Sequence, residues 1–477
     1  MKDMAKKPAS ELKRTPLSQF TTDMAVIGFT GALGSGCSYL ARGLAKHHGY
    51  AYASLSDPIH QFAKDNGIPE TTEKLQDIGN DLRRQFGRGY LALMALNDLN
   101  AQLARRGGSR PVGVVLDGIR NTGELAGLQQ LPNFFLISVQ AEEEIRKQRL
   151  IGKSKKFAGE AEFLAADARD KDEHTEDGQQ VKSCNYLSDI IVINEKAVSE
   201  GAAAPYRAYI KSHLHENYVS LIEQVAKGLP PNERRARSEE ALMMAAYVES
   251  TRSSCLKRKV GAVVASPAGD IITAGHNDVP ETADPCLNDP RYGWCARDFA
   301  QEQLGKQIKF CPNCGEAVNI NGQCAKCEHE YADYVNHCSA CHSSIDIAYA
   351  CPKCGRKVFS DFLAGSSAET GKLLDLCRAL HAEENAILNL SKFGIRLPHF
   401  HDVKNNGNGK IAEACTLFST TFPCNLCANK IVTVGIKKVV YAEPYPMEEA
   451  RRVFEELHVT LQRFEGVKSR AFFRLYA

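Results

Sequence analysis

The chain has 477 residues, which at roughly 100 to 200 residues per domain corresponds to two to four domains. Hydrophobic residues make up 43% of the sequence and charged residues 24%, and this composition excludes long disordered stretches. The net charge of +2 gives no general attraction to polyanions, although local basic faces remain open. No apolar run reaches the ~20 residues that a bilayer requires, and the polar first 23 residues contain no apolar signal core. We therefore expect a cytoplasmic protein without a membrane partner.

The amino-terminal part alternates short apolar runs with helical stretches. After a segment at 1–23 that we expect to be a flexible tail, apolar runs recur at 24–28, 112–116, 134–139 and 189–193. This alternation predicts a parallel sheet with helices on its faces. We expect the domain to span 24–228, because prolines and charges at 229–238 indicate a linker.

A glycine-rich segment follows the first apolar run. Its sequence, GALGSGCS at residues 31–38, fits the phosphate-binding pattern GxxxxGK[ST] except that Cys37 replaces the lysine. Backbone N–H groups of such a loop bind phosphate, and Ser38 is placed to meet Mg²⁺. Without the lysine ammonium, which stabilises a transferring phosphoryl group, we expect nucleotide binding with weak or absent hydrolysis. A glycine turn without a ligand is the alternative.

The amino-terminal part resembles P-loop deoxynucleoside monophosphate kinases and dephospho-coenzyme A kinases. The resemblance is carried by IGFTGALGSGCS (27–38), SLSDP (54–58) and LDGIRNTGE (116–124). It implies a P-loop kinase-like domain in which Asp117 lies at the acidic, metal-side end of a strand and Arg120 follows it. The nucleotide site predicted in this way consists of Gly31, Gly34, Ser35, Gly36, Cys37, Ser38, Asp117 and Arg120.

The carboxyl-terminal part, which we expect to span 239–477, contains a second α/β pattern. Helices are predicted at 239–250, 373–393 and 424–434, and strands at 260–265, 270–276, 415–420 and 437–442. An insertion at 305–360 interrupts this order.

Within the insertion, eight cysteines form two copies of CxxC, nine residues, CxxC. Paired CxxC motifs in a protein expected to be reduced are typical of structural zinc. We group them as Cys311, Cys314, Cys324 and Cys327 in one site and Cys338, Cys341, Cys351 and Cys354 in the other, with interleaved pairing as the alternative. These zinc knuckles are expected to be structural, and contact with nucleic acid or another subunit stays open.

Two further motifs indicate catalytic chemistry. HAEE at 381–384 and PCNLC at 423–427 match the HxE and PCxxC pattern of zinc nucleobase deaminases. His381, Cys424 and Cys427 supply three ligands and leave one position for a water, whose pKa zinc lowers from 15.7 to about 7. Glu383 is the expected proton shuttle between that water, the ring nitrogen and the leaving ammonia. A structural site with a fourth ligand is the alternative.

The carboxyl-terminal motifs resemble the deoxycytidylate deaminase family. Besides HAEE and PCNLC, the resemblance is carried by VGAVV (260–264), AGHNDVP (274–280) and GIKKVVYAEPY (435–445). It implies a cytidine-deaminase-like α/β/α domain in which Asn277 contacts the sugar of the nucleotide. It also places Ala382 and Tyr441 at the substrate.

Nearly the whole chain resembles the bacterial anti-phage dCTP deaminases. This resemblance implies deamination of dCTP and dCMP to dUTP and dUMP, which withholds a DNA precursor from a phage, with the P-loop part regulatory. One catalytic and two structural zinc ions are expected per chain, with Mg²⁺ beside the P-loop nucleotide. A homo-oligomer is expected, and control by an RNA or a phage factor stays open.

Rival functions also stay open. One is a polynucleotide cytosine deaminase that holds nucleic acid with the zinc knuckles, although the near-neutral charge disfavours it. Another is a nucleotide kinase with a deaminase accessory domain, which Cys37 disfavours. A binding protein with a vestigial deaminase site ranks last, because His381, Glu383, Cys424 and Cys427 are all present.

Overall fold

The computed structural model describes residues 23–106, 110–131, 133–153, 156–171, 173, 175–195, 203–229, 234–289, 295–297, 377–397, 415–444 and 447–476. The predicted insertion at 305–360, with all eight cysteines of its CxxC pairs, lies outside these residues, as does nearly all of the predicted tail. Helices in the described ranges are not both long and apolar enough to cross a membrane.

The amino-terminal sheet is built mainly from parallel strands. Its strands are β1 (Ala25–Thr30), β2 (Ala51–Ser54), β3 (Gly113–Asp117), β4 (Phe134–Gln140), β5 (Ile190–Ile193) and β11 (Gly466–Val467). Their order is β11-β5-β4-β1-β3-β2, and neighbours run parallel except β11, which is antiparallel to β5. β1 is buried along its whole length, because helices cover both faces of the sheet. The parallel α/β architecture predicted from the alternating apolar runs is confirmed.

Helices pack on both faces of this sheet. They are α1 (Cys37–His48), α2 (Asp57–Asp65), α3 (Thr72–Phe86), α4 (Tyr90–Arg106), α5 (Thr122–Leu128), α6 (Glu143–Lys147), α7 (Glu160–Lys171), α8 (Val181–Tyr186), α9 (Ala203–Tyr209) and α10 (Ser220–Ala226). π-helical stretches occupy Gln148–Lys153 and Ile210–Val219. Because side chains alternate along a strand, Ile27 enters the core that contains α1, and Val26 enters the opposite core with α4.

The carboxyl-terminal sheet is mixed. Its strands are β6 (Gly261–Ala265), β7 (Ile271–His276), β8 (Thr416–Thr421), β9 (Lys438–Glu443) and β10 (Thr460–Arg463). They lie in the order β10-β9-β8-β6-β7, with β10, β9 and β8 parallel to one another and the other pairs antiparallel. The accompanying helices are α11 (Ser238–Ser250), α12 (Ala382–Lys392), α13 (Asn425–Thr433), α14 (Glu448–Glu456) and α15 (Ser469–Tyr476). This sheet confirms the predicted second α/β unit.

A glycine on β7 allows α12 to lie close to this sheet. A Cβ atom at Gly275 would approach the backbone nitrogen of Ala386 to 2.3 Å and the carbonyl oxygen of Ala382 to 2.6 Å, closer than real Cβ contacts. Asn385 and Asn389 on α12 also donate to β7 carbonyls. The first turn of α12 is thereby fixed against the sheet.

The end of the chain returns to the amino-terminal sheet. β11 pairs with β5, and Val467, Ala471 and Leu475 enter the amino-terminal core. At the junction, Glu240 of α11 is fully buried and accepts a hydrogen bond from the Val467 backbone at 2.9 Å. The two sheets are therefore joined by a shared core. The predicted domain bounds did not anticipate that residues from the end of the chain pack into the amino-terminal sheet.

Candidate functional site

Two helix starts bring a histidine and two cysteines together. His381 directly precedes α12, and its backbone nitrogen donates to Glu384 in the first turn of that helix. Cys424 directly precedes α13, and Cys427 lies in its first turn. The two helices are tied by an ion pair between Lys430 and Glu384. Residues more than 40 positions apart in sequence thus meet at one end of the sheet.

The three side chains have the spacing of metal ligands. His381 Nδ1 lies 3.2 Å from Cys424 Sγ and 3.4 Å from Cys427 Sγ. All three ligand atoms lie within 4.8 Å of one another. Ligands held tetrahedrally at zinc distances of about 2.0 and 2.3 Å are separated by roughly 3.5 Å, so this set fits zinc with little rearrangement. No further His, Cys, Asp or Glu of the described ranges joins this group.

The electrostatics of this group favour a thiolate. The hydrogen bond with Cys427 and the neighbouring His381 ring lower the pKa of Cys424, although burial opposes the shift. In return, the hydrogen bond with Cys424 raises the pKa of His381. A deprotonated sulfur is the form that binds a metal ion.

Glu383 lies beside the group and is only 4% exposed. Burial raises the pKa of its carboxyl, and the nearby His381 opposes part of that shift. Ser419 on β8 donates a hydrogen bond to Glu383 Oε1 at 2.8 Å, which orients the carboxylate. A carboxyl group with a raised pKa can both accept and release protons near neutral pH. Sequence reasoning missed Ser419, whose only signal is its position on the strand that leads to PCNLC.

His381, Glu383 and Cys424 line a cavity of about 950 Å³. Pockets of about 300 to 1,000 Å³ accommodate small-molecule ligands. One wall is the loop from Cys255 to Val260 of the carboxyl-terminal part. Another wall comes from the amino-terminal part, through Thr122 and residues of α8. Sequence reasoning assigned the whole substrate site to residues after 238 and missed this wall.

Asn277 lies on the cavity and is 9% exposed. Its Oδ1 accepts from the Val260 backbone at 2.7 Å, and its Nδ2 donates to the Arg258 carbonyl at 2.8 Å. Its own carbonyl accepts from Ser253. Asn277 therefore holds the cavity-wall loop in place, a geometry that sequence reasoning did not include.

The two other predicted substrate residues lie in different surroundings. Ala382 is fully buried at the start of α12 and lines the cavity. Tyr441 lies in the core, where its ring makes an edge contact with Phe422 at 4.9 Å between ring centres. The described cavity lining does not include Tyr441.

A second candidate site lies at the carboxyl-terminal ends of the first sheet's strands. Gly36 has a left-handed φ of 99°, and a Cβ there would lie 2.1 Å from Asn194 Nδ2. Asn194 and Arg149 donate to loop carbonyls, the former to Ser35 at 2.8 Å and the latter to Gly34 at 3.1 Å. These contacts hold the glycine-rich loop from 31 to 38. The sequence motifs assigned no role to either side chain.

The start of α1 suits an anion. In the described chain no side chain caps this helix, whose first residues are Cys37 and the exposed Ser38. Its first N–H groups and the helix dipole therefore remain for a phosphate. Burial raises the pKa of Cys37 to about 12, and Asp117 adds to the shift, so the thiol is neutral at pH 7. The position normally held by an ammonium carries no charge.

Buried polar oxygens surround this loop. Arg120 forms an ion pair with Asp170, and Tyr52 donates to Asp117 Oδ2 at 2.9 Å. Four of the buried oxygen atoms that have no hydrogen-bond partner in the described residues belong to this region: Thr30 Oγ1, Asp117 Oδ1, Gln140 Oε1 and Asp170 Oδ2. Three of them end the neighbouring strands β1, β3 and β4. Such oxygens are ligands for a hard cation or partners for a polar ligand.

Comparisons with known proteins agree with the two-part architecture. The family model described as "Cytidine and deoxycytidylate deaminase zinc-binding region" matches residues 236–443. A deoxycytidylate deaminase of Schizosaccharomyces pombe is 24% identical over 431 residues, which cover 89% of this chain and 92% of that protein. A UPF0200 protein of Methanoregula boonei is 30% identical over 182 residues, which cover 38% of this chain and 93% of that protein. The solved dCMP deaminase of cyanophage S-TIM5 has a TM-score of 0.24 and 18% identity, covering 48% of this chain and all of that one.

Proposed function

We propose that this chain, a member of the UPF0200 family through its amino-terminal part, is a hydrolytic deaminase of deoxycytidine nucleotides, because its carboxyl-terminal part matches a deaminase zinc-binding region. The observation that carries this proposal is the meeting of His381, Cys424 and Cys427 with the buried Glu383 at one cavity. The relation to deoxycytidylate deaminases supports dCMP as a substrate. Deamination of dCTP, and depletion of dCTP against phage, extend the proposal on the resemblance of the whole chain.

His381, Cys424 and Cys427 would hold zinc, which when bound supplies a water-derived nucleophile at neutral pH. Glu383 then acts on protons. It accepts one proton of the attacking water and delivers it to N3 of the cytosine ring. It then carries the second proton of that oxygen to the amino group, which leaves C4 as ammonia. Water oxygen forms the new C4 carbonyl of uracil, so no oxidant or reductant is needed. Ser419 holds Glu383 Oε1 during these transfers.

We also propose that the glycine-rich loop binds a nucleotide with Mg²⁺ and regulates the deaminase. A short path supports the coupling. Arg120 interacts electrostatically with Cys37 of the loop, and its carbonyl accepts from the Gln180 backbone at 2.7 Å. The Gln180 side chain in turn accepts from the Thr122 hydroxyl at 2.8 Å. Thr122 lines the deaminase cavity. The unpartnered oxygens of Thr30 and Asp117 support a cation there.

The test is ammonia release from the purified full chain. Substrates are dCMP, dCTP, CMP, deoxycytidine and a cytosine-containing oligonucleotide, with metal counted in the same samples. We expect release from the deoxynucleotides and about three zinc ions per chain, one at His381 and two in the insertion. Release from the oligonucleotide alone would favour a polynucleotide deaminase, and release from none would reject the proposal.

The regulatory arm has its own test. Rates with a saturating deoxycytidine nucleotide are measured with and without added ATP and Mg²⁺, in the native chain and in Asp117→Asn. We expect the added nucleotide to change the rate of the native chain and to leave the variant at its basal rate. Equal responses in both proteins would reject the regulatory role while leaving deamination intact.

A further inference from the structure

The cavity beside the candidate zinc site is bordered by a helix of the other sheet. Lys182, Ser183 and Tyr186 of α8 line it, together with Thr122. Lys182 and Tyr186 are four residues apart and so share one face of the helix. Lys182 is exposed to solvent and belongs to the amino-terminal part of the chain, yet it lines the cavity of the deaminase part.

The charges around the cavity favour an anion. Its lining includes the cations Lys182, Lys257, Lys259 and Arg297. The lining carboxylates of the described residues are Glu383 and Glu443, and Glu443 forms an ion pair with Arg258. Basic side chains therefore outnumber carboxylates in the described lining. A phosphate is the anionic group of the proposed substrate, and charge-assisted hydrogen bonds from lysine suit it.

Contacts between the two parts fix the position of α8. Lys468 is fully buried, and its Nζ donates to the carbonyls of Asn185 at 2.8 Å and Tyr186 at 2.9 Å, where α8 ends. Lys468 directly follows β11, which pairs with β5 of the amino-terminal sheet. A cation at helix-end carbonyls satisfies groups that the helix leaves unpaired. The wall that carries Lys182 is thus fixed to the carboxyl-terminal segment of the chain.

We propose that Lys182 binds the 5′-phosphate of the deoxycytidine nucleotide at the deaminase site. The kinase-like part therefore completes the substrate site of the deaminase part, and the enzyme distinguishes nucleotides from nucleosides through a residue outside its deaminase motifs. This inference rests on the proposed function. It requires only that the nucleotide occupies the cavity with its base at Glu383.

The experiment compares dCMP with deoxycytidine, which lacks the phosphate. Full-length Lys182→Ala and Lys182→Arg are assayed beside Lys64→Ala, which removes an exposed lysine of α2 away from the cavity. We expect Lys182→Ala to raise KM for dCMP about 10- to 100-fold, the effect of one lost charge-assisted contact, with little change in kcat. Its kinetics with deoxycytidine should match the native chain, Lys182→Arg should recover part of the dCMP affinity, and Lys64→Ala should behave as native.

Two results would overturn the inference. One is an unchanged KM for dCMP in Lys182→Ala, and the other is an equal loss with dCMP and deoxycytidine, which would indicate a structural role. Calorimetric titration of dCMP and of deoxycytidine into the same proteins measures binding without catalysis, and so tests the phosphate contact separately from the proposed function. If the native chain releases no ammonia, a loss of dCMP affinity confined to Lys182→Ala still supports the phosphate contact. If the native chain and Lys182→Ala bind dCMP equally, or if the native chain does not bind dCMP, the phosphate contact is rejected.

Discussion

Cys37 and Cys424 both lie at the start of a helix, yet their thiols have opposite acidities. Burial and the carboxylate of Asp117 raise the pKa of Cys37 to about 12, whereas Cys427 and His381 lower the pKa of Cys424. The helix dipole acts in the same direction at both sites and lowers a thiol pKa. The difference shows that burial and neighbouring side chains outweigh the helix dipole in deciding the charge of a thiol. The glycine-rich loop contains a neutral thiol, whereas the surroundings of the candidate metal site favour a thiolate.

The strongest test of this contrast is Cys424→Ser. A serine hydroxyl is not a thiolate, so we expect the chain to lose one zinc ion and its deamination to fall to background. Metal content and ammonia release measure the two effects. Cys286→Ser, which removes a partly exposed cysteine outside the group of three ligands, is the control and should retain both. Full zinc and activity in Cys424→Ser would contradict the assigned ligand set.

Glu383→Gln separates proton transfer from metal binding. Glutamine still accepts the hydrogen bond of Ser419 but does not carry protons, so we expect kcat to fall by about 10² to 10⁴-fold. The zinc count should stay at its native value. A variant that loses zinc together with activity would show that Glu383 supports the metal rather than the chemistry.

A buried cation between the two parts gives a prediction for stability. Burial lowers the pKa of Lys468 to about 8, with Glu443 and Asp189 opposing the shift. An unfolded chain keeps its lysine protonated up to about pH 10.4, so it binds more protons than the native state between those values. The free energy of unfolding should therefore rise with pH between about 8 and 10.4, by roughly 3 kcal/mol from this group.

Lys468→Met tests that expectation. Denaturant unfolding at a series of pH values should give a native slope in this window that is absent from the methionine variant. Lys64→Met, which removes an exposed lysine, should keep the native slope. Parallel curves for the native chain and Lys468→Met would contradict the lowered pKa.

Local patterns brought out the candidate metal site, because the three side chains that meet there come from short motifs. His381 and Glu383 share one helix start and Cys424 and Cys427 another, so spacing alone indicates the ligand set, although nothing in the sequence measures their distance. The buried strands β1, β3, β4 and β5 were equally visible as apolar runs. β2 was not, because four residues with one tyrosine give a weak signal.

The missed features depend on contacts between distant segments. Within the predicted helix at 373–393, the described residues 377–381 are not helical and α12 begins at Ala382, because Leu380 pairs with Asp278 and His381 is extended. β11 has only two residues, and it pairs with the edge of β5 that faces away from β4. The cavity wall of α8 likewise arises from tertiary packing. Such placements are set by burial between elements far apart in sequence, which a single sequence does not display.

The smallest expected effect belongs to Cys37→Ser. A thiol with a pKa of about 12 is neutral at pH 7, so serine changes neither charge nor size greatly, and the nearby Ser35 hydroxyl can still pair with it. Mg²⁺-dependent nucleotide binding and deamination should stay within about twofold of native. Asp117→Asn removes a carboxylate charge beside the same loop and should weaken that binding at least about tenfold. Calorimetric titration with ATP and Mg²⁺ measures the nucleotide affinity of both variants and of the native chain. If Cys37→Ser lost as much affinity as Asp117→Asn, the Cys37 thiol would be taking part in nucleotide binding. Cys37 and Cys424 would then differ in the ligand that each one binds, a nucleotide or a metal ion, and not simply in the charge of the thiol.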